Sequence, residues 1–284
     1  MRVIQAQSAG FCYGVERAVR MAEEAAAAGG CVMLGSIIHN DSVVRRLEAL
    51  GARQVQSAEE VQPGETVLIR AHGEPVETYR TLEARGARVL DATCPHVLRI
   101  HRLVERAEQE GRTPLIIGED HHPEVIAAAS RSSRSVVLGN AEELAEWLAA
   151  VPARRTERLL AVAQTTCIRS IWEKCVNFLK KECTNLKIFD TICEATSTRQ
   201  SEAIKLATDC DAMVVIGGKK SANSVHLAEI CREHCPCVEF IERADALDMD
   251  RLKTADTVGL TAGASTPAWI IKEVRNKMSD EIKV

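Results

Sequence analysis

Short apolar runs alternate with helical patterns along the whole of this 284-residue chain. Apolar, β-branched runs over residues 159–163 and 212–216 are typical of buried strands. Segments such as 95–110 and 141–150 carry apolar residues at helical spacing instead. Strands joined through helices must run parallel, with the helices covering both faces of the sheet. The alternation therefore predicts an α/β fold built on parallel sheets.

The same reasoning places the other elements along the chain. It predicts helices over residues 15–28, 42–50 and 74–85, each with Gly or Ala at or after its end. It predicts further strands over residues 31–39, 66–70, 88–91, 114–118, 135–138, 186–189, 237–241 and 257–260. The longest apolar runs are far shorter than the roughly 20 residues that a membrane span requires. We therefore expect a cytoplasmic protein that does not bind membranes.

An approximate internal repeat divides this pattern into three. Residues 89–94 (VLDATC) resemble residues 188–193 (IFDTIC), and both read strand, Asp, two residues, Cys, helix. Val3-Ile4 followed by Cys12 is a looser third copy. The spacing of the copies is close to one small α/β unit. We predict three similar lobes over residues 1–93, 94–192 and 193–284, and the N-terminal segment with Cys12 is free to pack with the third.

The net charge and the cysteine content narrow the classes of function that this chain can have. The net charge of −4 argues against a broad nucleic-acid surface, so no nucleic-acid partner is expected. Eleven cysteines are many for a chain with no secretion signal, and they do not form the dense framework of a small secreted domain. In a reducing compartment such cysteines ligate metals, catalyse reactions or are simply buried.

Polar residues cluster where the predicted strands end, which is where ligands bind to open parallel sheets. Each lobe contributes two polar loops and one cysteine. The residues are His39, His72 and Cys94 in lobe one; His122, Glu124, Gln164, Thr165, Thr166 and Cys193 in lobe two; and Ser221, Asn223, Ser265 and Cys12 in lobe three. Three lobes around a common axis would direct all of them into one cavity.

The three cysteines each stand between a strand and a helix. Helix N-termini favour thiolates, and three thiolates would leave one iron of a four-iron cluster open to substrate. The alternative is that these cysteines are small buried hydrophobic residues, and spacing alone leaves both interpretations open. Cys231, His234, Cys235 and Cys237 form a second group, for which a partly buried structural set is favoured over a metal site. His96 and His101 follow Cys94 on the predicted helix, and a solvated or capping role is favoured for both.

Motifs along nearly the whole chain resemble those of the LytB family, 4-hydroxy-3-methylbut-2-enyl diphosphate reductase. They are FCYGV (11–15), HN (39–40), AHG (71–73), DATCP (91–95), HPEV (122–125), QTT (164–166), IC-x-AT (192–196), S-x-NS (221–224) and TAGAS (261–265). Each motif is weak alone, but the ordered set is specific.

The resemblance implies a trefoil of three α/β lobes around one [4Fe–4S] cluster. It implies a two-electron, two-proton removal of an allylic hydroxyl that yields isopentenyl and dimethylallyl diphosphate. The cluster would be held by Cys12, Cys94 and Cys193, leaving one iron open. Glu124 would supply protons, with Thr165 positioning it. The diphosphate would be bound by His39, His72, His122, Ser221, Asn223 and Ser265.

The electron donor implied by the resemblance is reduced ferredoxin or flavodoxin. Three residues depart from the family pattern: His121 stands for a Gly, Ala222 for a Ser and Glu194 for a Tyr or Asn. The ring of His121 either points inward as an extra donor or faces solvent beside Glu119 and Asp120. Because two departures touch the substrate region, an iron–sulfur reductase or a hydro-lyase of a related hydroxylated anion is the alternative function, and a cluster-based sensor is a weaker one.

Overall fold

Twelve short strands form three separate parallel sheets. The computed structural model describes residues 1–38 and 40–280. The strands are β1 (Arg2–Gln5), β2 (Cys31–Leu34), β3 (Ala52–Val55), β4 (Thr66–Ile69), β5 (Arg88–Asp91), β6 (Thr113–Ile117), β7 (Val136–Leu138), β8 (Leu159–Ala163), β9 (Leu186–Ile188), β10 (Ala212–Ile216), β11 (Val238–Ile241) and β12 (Thr257–Ala262). All nine strand pairs in these described residues are parallel. The predicted α/β class is confirmed.

The three sheets share one strand order. Written from one edge, the orders are β5-β4-β2-β3, β9-β8-β6-β7 and β1-β12-β10-β11. The strand that precedes a candidate cysteine lies at the edge in every case. In the third sheet that strand is β1, which pairs in register with β12 through Arg2–Thr257 and Gln5–Leu260. The chain therefore completes its last sheet with its first strand, while the lobe boundaries at residues 93 and 192 stay a prediction.

The described residues form ten α-helices, nine of them between strands and the tenth after β12. They are α1 (Tyr13–Ala27), α2 (Asp41–Ala49), α3 (Val76–Ala84), α4 (Pro95–Gln109), α5 (Pro123–Ala129), α6 (Ala141–Ala150), α7 (Arg169–Glu182), α8 (Glu194–Asp209), α9 (Ala222–His234) and α10 (Ala268–Asp280). None of the described helices is both long and apolar enough to cross a membrane.

Several predicted ends are shifted by one or two residues, and two differences between the predicted and the observed strands are larger. The strand predicted over residues 31–39 ends at Leu34, because Gly35 adopts a left-handed conformation with φ of +66°. Strand β3 was not predicted at all. It lies at the edge of its sheet with Arg53 exposed, so it lacks the continuous apolar run of a buried parallel strand.

The structure divides into two compact units. The first comprises residues 1–16, 38–46 and 194–284, and the second comprises residues 17–37 and 47–193. The first unit holds the sheet β1-β12-β10-β11, with apolar side chains such as Leu260 and Val274 buried around it. The second unit holds the other two sheets, and aliphatic side chains such as Ile69, Leu115 and Val162 build its cores.

Leucines in two settings test how much this aliphatic packing contributes. Leu144 on α6 is fully buried, whereas Leu50 is 45% exposed. Leu144→Ala should lower the free energy of unfolding by about 2–5 kcal/mol, because it removes buried methyl groups and leaves a cavity. Leu50→Ala should stay within about 0.5 kcal/mol of the parent. Denaturant unfolding of both variants measures the difference, and equal losses would contradict the assigned burial.

Candidate active site

Three cysteines occupy the same place in the three sheets. Cys12, Cys94 and Cys193 are partly exposed, and each directly precedes a helix. Each donates its backbone N–H to a carbonyl in the loop after the neighbouring strand. The acceptors are Ala264 at 3.3 Å, Ala71 at 2.9 Å and Thr165 at 3.0 Å, respectively. Each cysteine is thereby fixed at the carboxyl end of its own sheet.

The sequence repeat before two of these cysteines is also a structural repeat. Asp91 Oδ1 accepts the backbone N–H of Thr93 at 2.9 Å, and Asp190 Oδ1 accepts that of Ile192 at 3.2 Å. Such a side-chain-closed turn lets the chain leave the edge strand and present the next residues at the helix start. The aspartate of the repeat therefore shapes the turn that presents the cysteine.

Most of the other cysteines differ from these three in burial. Burial raises the pKa of Cys231 to about 12 and that of Cys175 to about 11. The thiol of Cys235 lies within hydrogen-bond reach of three backbone carbonyls, those of residues 210, 211 and 237. Buried thiols engaged in this way are inert, which agrees with a structural interpretation of the second cysteine group. Cys237 is the one further cysteine in the described residues that is partly exposed.

The three partly exposed cysteines have the chemistry of iron–sulfur ligands. Within residues 1–38 and 40–280, no group of three or more His, Cys, Asp or Glu side chains could hold one ion. In an iron–sulfur cluster each thiolate binds a different iron, so no such tight group is needed. Cys12, Cys94 and Cys193 supply three partly exposed thiols at helix starts, which is chemistry suited to a cluster with one iron left open.

The loop before Cys12 is held by two residues of α8. Glu202 accepts hydrogen bonds from the backbone N–H groups of Gln7 and Ser8 and from the Ser8 hydroxyl. Although partial burial opposes its ionisation, these donors leave the pKa of Glu202 lowered. Arg199 Nη2 donates to the carbonyl of Gly10 at 2.7 Å. The sequence analysis missed both residues, since their partners are about 190 positions away.

Glu124 is a buried carboxyl group with both oxygens bonded to one residue. It lies at the start of α5 and is only 2% exposed. Its Oε1 accepts the backbone N–H of Thr165, and its Oε2 accepts the Thr165 hydroxyl, both at 2.6 Å. Because the Thr165 carbonyl accepts the N–H of Cys193, a single residue links the carboxyl group to a candidate cluster ligand.

The environment of Glu124 favours its protonated form. Burial raises the pKa of Glu124 to about 7, and the charge of Glu119 adds to the rise. The two hydrogen bonds from Thr165 oppose the rise without cancelling it. A carboxyl group that titrates near neutral pH is suited to proton transfer.

Two histidine rings are connected to Glu124 through its backbone N–H. His122 Nδ1 accepts the backbone N–H of Glu124 at 3.2 Å and so caps α5. An Nδ1 that accepts a hydrogen bond carries no proton itself. The ring of His72 packs edge-on against His122, with centroids 5.3 Å apart and planes at 88°. In the second unit, contacts therefore connect His72, His122, Glu124, Thr165 and Cys193 in one series.

A hydrogen bond, an ion pair and a packing contact hold the turn that carries His72. Gly73 closes the turn with its N–H on the Arg70 carbonyl at 3.0 Å, and the Arg70 and Glu74 side chains pair across it at 2.7 Å. A Cβ on Gly73, whose φ is +74°, would lie 2.8 Å from the ring of His101. His101 is buried. Burial is the main cause that lowers its pKa to about 4, and the positive charge of Arg131 lowers the pKa further.

The solvated or capping role predicted for His101 is wrong, whereas His96 is exposed as predicted. His101 faces inward because it shares the buried side of α4 with Val97, Ile100 and Val104. That helical spacing was readable from the sequence. His101 packs against the His72 turn, with its ring beside Gly73.

The ring of His121 faces solvent. It is 82% exposed, with Nδ1 3.0 Å from Asp120 and Nε2 3.8 Å from Glu119. Of the two orientations left open by the sequence, the outward one is observed. His121 therefore adds no donor to the buried series. Glu194, the departure after Cys193, is likewise exposed at the start of α8.

The first unit gathers the hydroxyl and amide residues. Ser221 precedes α9, and its Oγ lies 3.3 Å from that of Ser265. Asn223 is buried, and its Nδ2 finds no hydrogen-bond partner within the described structure. Asn40, which caps α2, donates from Nδ2 to the Ser265 carbonyl at 3.1 Å. A buried amide donor at a helix N-terminus is suited to an anion.

Two further candidates complete the set. His39 lies outside the described residues. Gln164 is buried and accepts the N–H of Glu119 at 3.0 Å while donating to the Thr166 hydroxyl at 2.8 Å. Both of its contacts shape the loop, so Gln164 and Thr166 support the position of Thr165.

Known proteins match this chain over almost its full length. The family model described as LytB protein matches residues 3–279. The 4-hydroxy-3-methylbut-2-enyl diphosphate reductase of Caldanaerobacter subterraneus subsp. tengcongensis is 38% identical over 283 residues, covering 98% of this chain and 96% of the relative. The reductase of the same name from Aquifex aeolicus is 39% identical over 284 residues, with the same coverage.

Two solved structures of reductases are also similar to this chain over nearly its full length. A structure of (E)-4-hydroxy-3-methyl-but-2-enyl diphosphate reductase, the terminal enzyme of the non-mevalonate pathway, matches with a TM-score of 0.70 at 38% identity, covering 99% of this chain and 100% of that one. The E-1-hydroxy-2-methyl-but-2-enyl-4-diphosphate reductase from Plasmodium falciparum matches with a TM-score of 0.92 at 26% identity, covering 97% and 87%. With the family model spanning both units, this chain belongs to the LytB family.

Proposed function

We propose that this chain is a reductase that removes the allylic hydroxyl of 4-hydroxy-3-methylbut-2-enyl diphosphate. The observation that carries the proposal is the buried Glu124, which titrates near neutral pH and is bonded through Thr165 to Cys193. Family membership supplies the substrate, because the matched relatives bear this activity in their names.

The reaction consumes two electrons and two protons. The allylic C–O bond breaks, the hydroxyl takes one proton and leaves as water, and the other proton adds to a carbon of the allyl system. Addition at one end or the other gives isopentenyl or dimethylallyl diphosphate. We propose that reduced ferredoxin or flavodoxin supplies the electrons and that the reaction takes place in the cytoplasm.

The cofactor that we propose is one [4Fe–4S] cluster held by Cys12, Cys94 and Cys193. When bound, it supplies electron transfer and a Lewis-acidic iron without a cysteine ligand. The protein side chains supply the rest. Glu124 holds a proton for the leaving hydroxyl, and Thr165 fixes the orientation of the carboxyl group.

The diphosphate requires donors rather than a basic surface. We propose that His39, His72, His122, Ser221, Asn223 and Ser265 bind it. The unpartnered Asn223 amide supports this role within the described structure, and His122 lies at the N-terminus of α5. Ala222 offers no hydroxyl, so at that position only its backbone N–H is available as a donor.

An anaerobic assay tests the reaction. Cluster-loaded protein with reduced donor should consume the allylic diphosphate and release both isopentenyl products, with two electrons used per substrate. A hydro-lyase would change the substrate without using electrons, and a reductase of a related anion would leave it intact. Either result would contradict the proposal.

The ligand assignment predicts iron content. Reconstituted protein should hold about four irons per chain. The variants Cys12→Ser, Cys94→Ser and Cys193→Ser should each lose most of that iron. Cys237→Ser is the matched control, because Cys237 is also partly exposed but lies outside the proposed ligand set. Iron and sulfide analysis measures the outcome. The assignment would be refuted if Cys231→Ser, Cys235→Ser or Cys237→Ser lost the cluster while the variants at positions 12, 94 and 193 retained it.

The proton-donor assignment predicts a slow but intact variant. Glu124→Gln keeps the shape of the side chain but cannot deliver a proton, so kcat should fall by about 10²–10⁴-fold. Iron content and diphosphate binding should be retained. Asp120→Asn, in the same loop but exposed, should keep nearly full turnover. Wild-type turnover of Glu124→Gln would remove Glu124 from the mechanism.

The raised pKa of Glu124 also predicts a pH-dependent stability. The folded state holds this proton up to about pH 7, whereas the unfolded chain releases it near 4.5. Binding of this proton stabilises the folded state. The stabilisation is complete below the unfolded pKa and is lost as pH rises through the folded pKa of about 7. Denaturant unfolding should show the wild type losing up to about 3 kcal/mol relative to Glu124→Gln between about pH 4.5 and 7. A constant difference across that range would show that the pKa is not raised.

A further inference from the structure

Ser221 stands at a helix N-terminus but does not cap it. A serine at this position ordinarily accepts a backbone N–H of the first turn with its side-chain oxygen. Here the Ser221 side chain makes no such bond. The N–H groups of Ser224 and Val225 bond to the Ser221 backbone carbonyl instead, both at 2.9 Å. The hydroxyl of Ser221 is therefore available for another role.

Two other hydroxyls converge on Ser221. Ser224 Oγ donates to Ser221 Oγ at 3.1 Å, and Ser265 Oγ donates to it at 3.3 Å. A serine hydroxyl has two acceptor positions and one donor. With both acceptor positions filled, the proton of Ser221 is directed to a third partner.

Ser224 is held rigidly in this arrangement. It is fully buried in the first turn of α9. A Cβ on Gly217, after β10, would lie 2.2 Å from the Ser224 hydroxyl, and one on Gly263, after β12, would lie 1.9 Å from it. Only glycine at both strand ends leaves room for this hydroxyl. The fold thus keeps a buried serine in place beneath Ser221.

We propose that Ser224 is a positioning residue that orients the Ser221 hydroxyl as a donor to a diphosphate oxygen. The inference rests on the proposed function, since it assumes that Ser221 binds the diphosphate. The proposal gives Ser224 no contact of its own with the ligand. Its effect on binding must therefore pass through Ser221, whereas a residue that only fills space would affect stability alone.

A double-mutant cycle separates these roles. The probes are inorganic pyrophosphate and the allylic diphosphate, titrated calorimetrically and anaerobically into cluster-loaded protein. Ser224→Ala should weaken binding of both about tenfold in the wild type, because a misoriented hydroxyl loses a bond to a charged acceptor. In the Ser221→Ala background it should cause less than about a twofold change. In turnover, Ser224→Ala should raise KM and leave kcat nearly unchanged.

Two variants serve as controls. Thr261→Val removes a fully buried hydroxyl on strand β12 that has no hydrogen-bond partner in the described structure, and it should leave binding unchanged. Ser224→Cys retains a weaker donor and should bind the probes with intermediate affinity. This variant provides a second measurement if Ser224→Ala folds poorly.

The outcomes distinguish the inference from the proposed function. If the wild type binds and Ser224→Ala binds equally well, or loses the same factor in both backgrounds, the positioning role is overturned and the proposed function stands. If the wild type binds neither probe, the proposed function fails and the inference fails with it.

Discussion

A backbone hydrogen bond from a cysteine N–H to the loop after the neighbouring strand recurs at all three candidate ligands. It ties Cys12 to Ala264, Cys94 to Ala71 and Cys193 to Thr165. The bond requires two adjacent parallel strands that end together, so it depends on the shared strand order of the three sheets. It also joins each cysteine to a loop bearing another candidate site residue: Ser265, His72 or Thr165. Sheet pairing therefore places each proposed cluster ligand beside a second candidate residue of the same sheet.

Burial then gives these groups their chemistry. Glu124 titrates near neutral pH because it is enclosed, even though Thr165 donates two hydrogen bonds to it. Asn223 holds a buried amide with no partner in the described residues. Both features oppose folding when considered alone. Each lies in the first turn of its own helix, Glu124 in α5 and Asn223 in α9, and the proposed reaction and diphosphate ligand would give each of them a use.

Sequence reasoning worked where the pattern was local. Strands β5 and β8 have the predicted ends because apolar runs define them, and the Asp–Cys repeat corresponds to the same turn at Asp91 and Asp190. It failed where tertiary contacts decide. Edge strand β3 has only its first and last residues buried, and the support of Cys12 by Glu202 joins distant positions. The positions of Ser224 and His101 likewise depend on close contacts with the glycines at positions 217, 263 and 73, which no local pattern shows.

Alkylation of thiols in the folded protein tests the central claim most directly. Four cysteines in the described residues are partly exposed: Cys12, Cys94, Cys193 and Cys237. In the cluster-free protein, iodoacetamide followed by mass spectrometry should modify all four ahead of the buried thiols. Loading the cluster should protect Cys12, Cys94 and Cys193 and leave Cys237 reactive. Protection of Cys237, or continued modification of any one of the other three, would contradict the account.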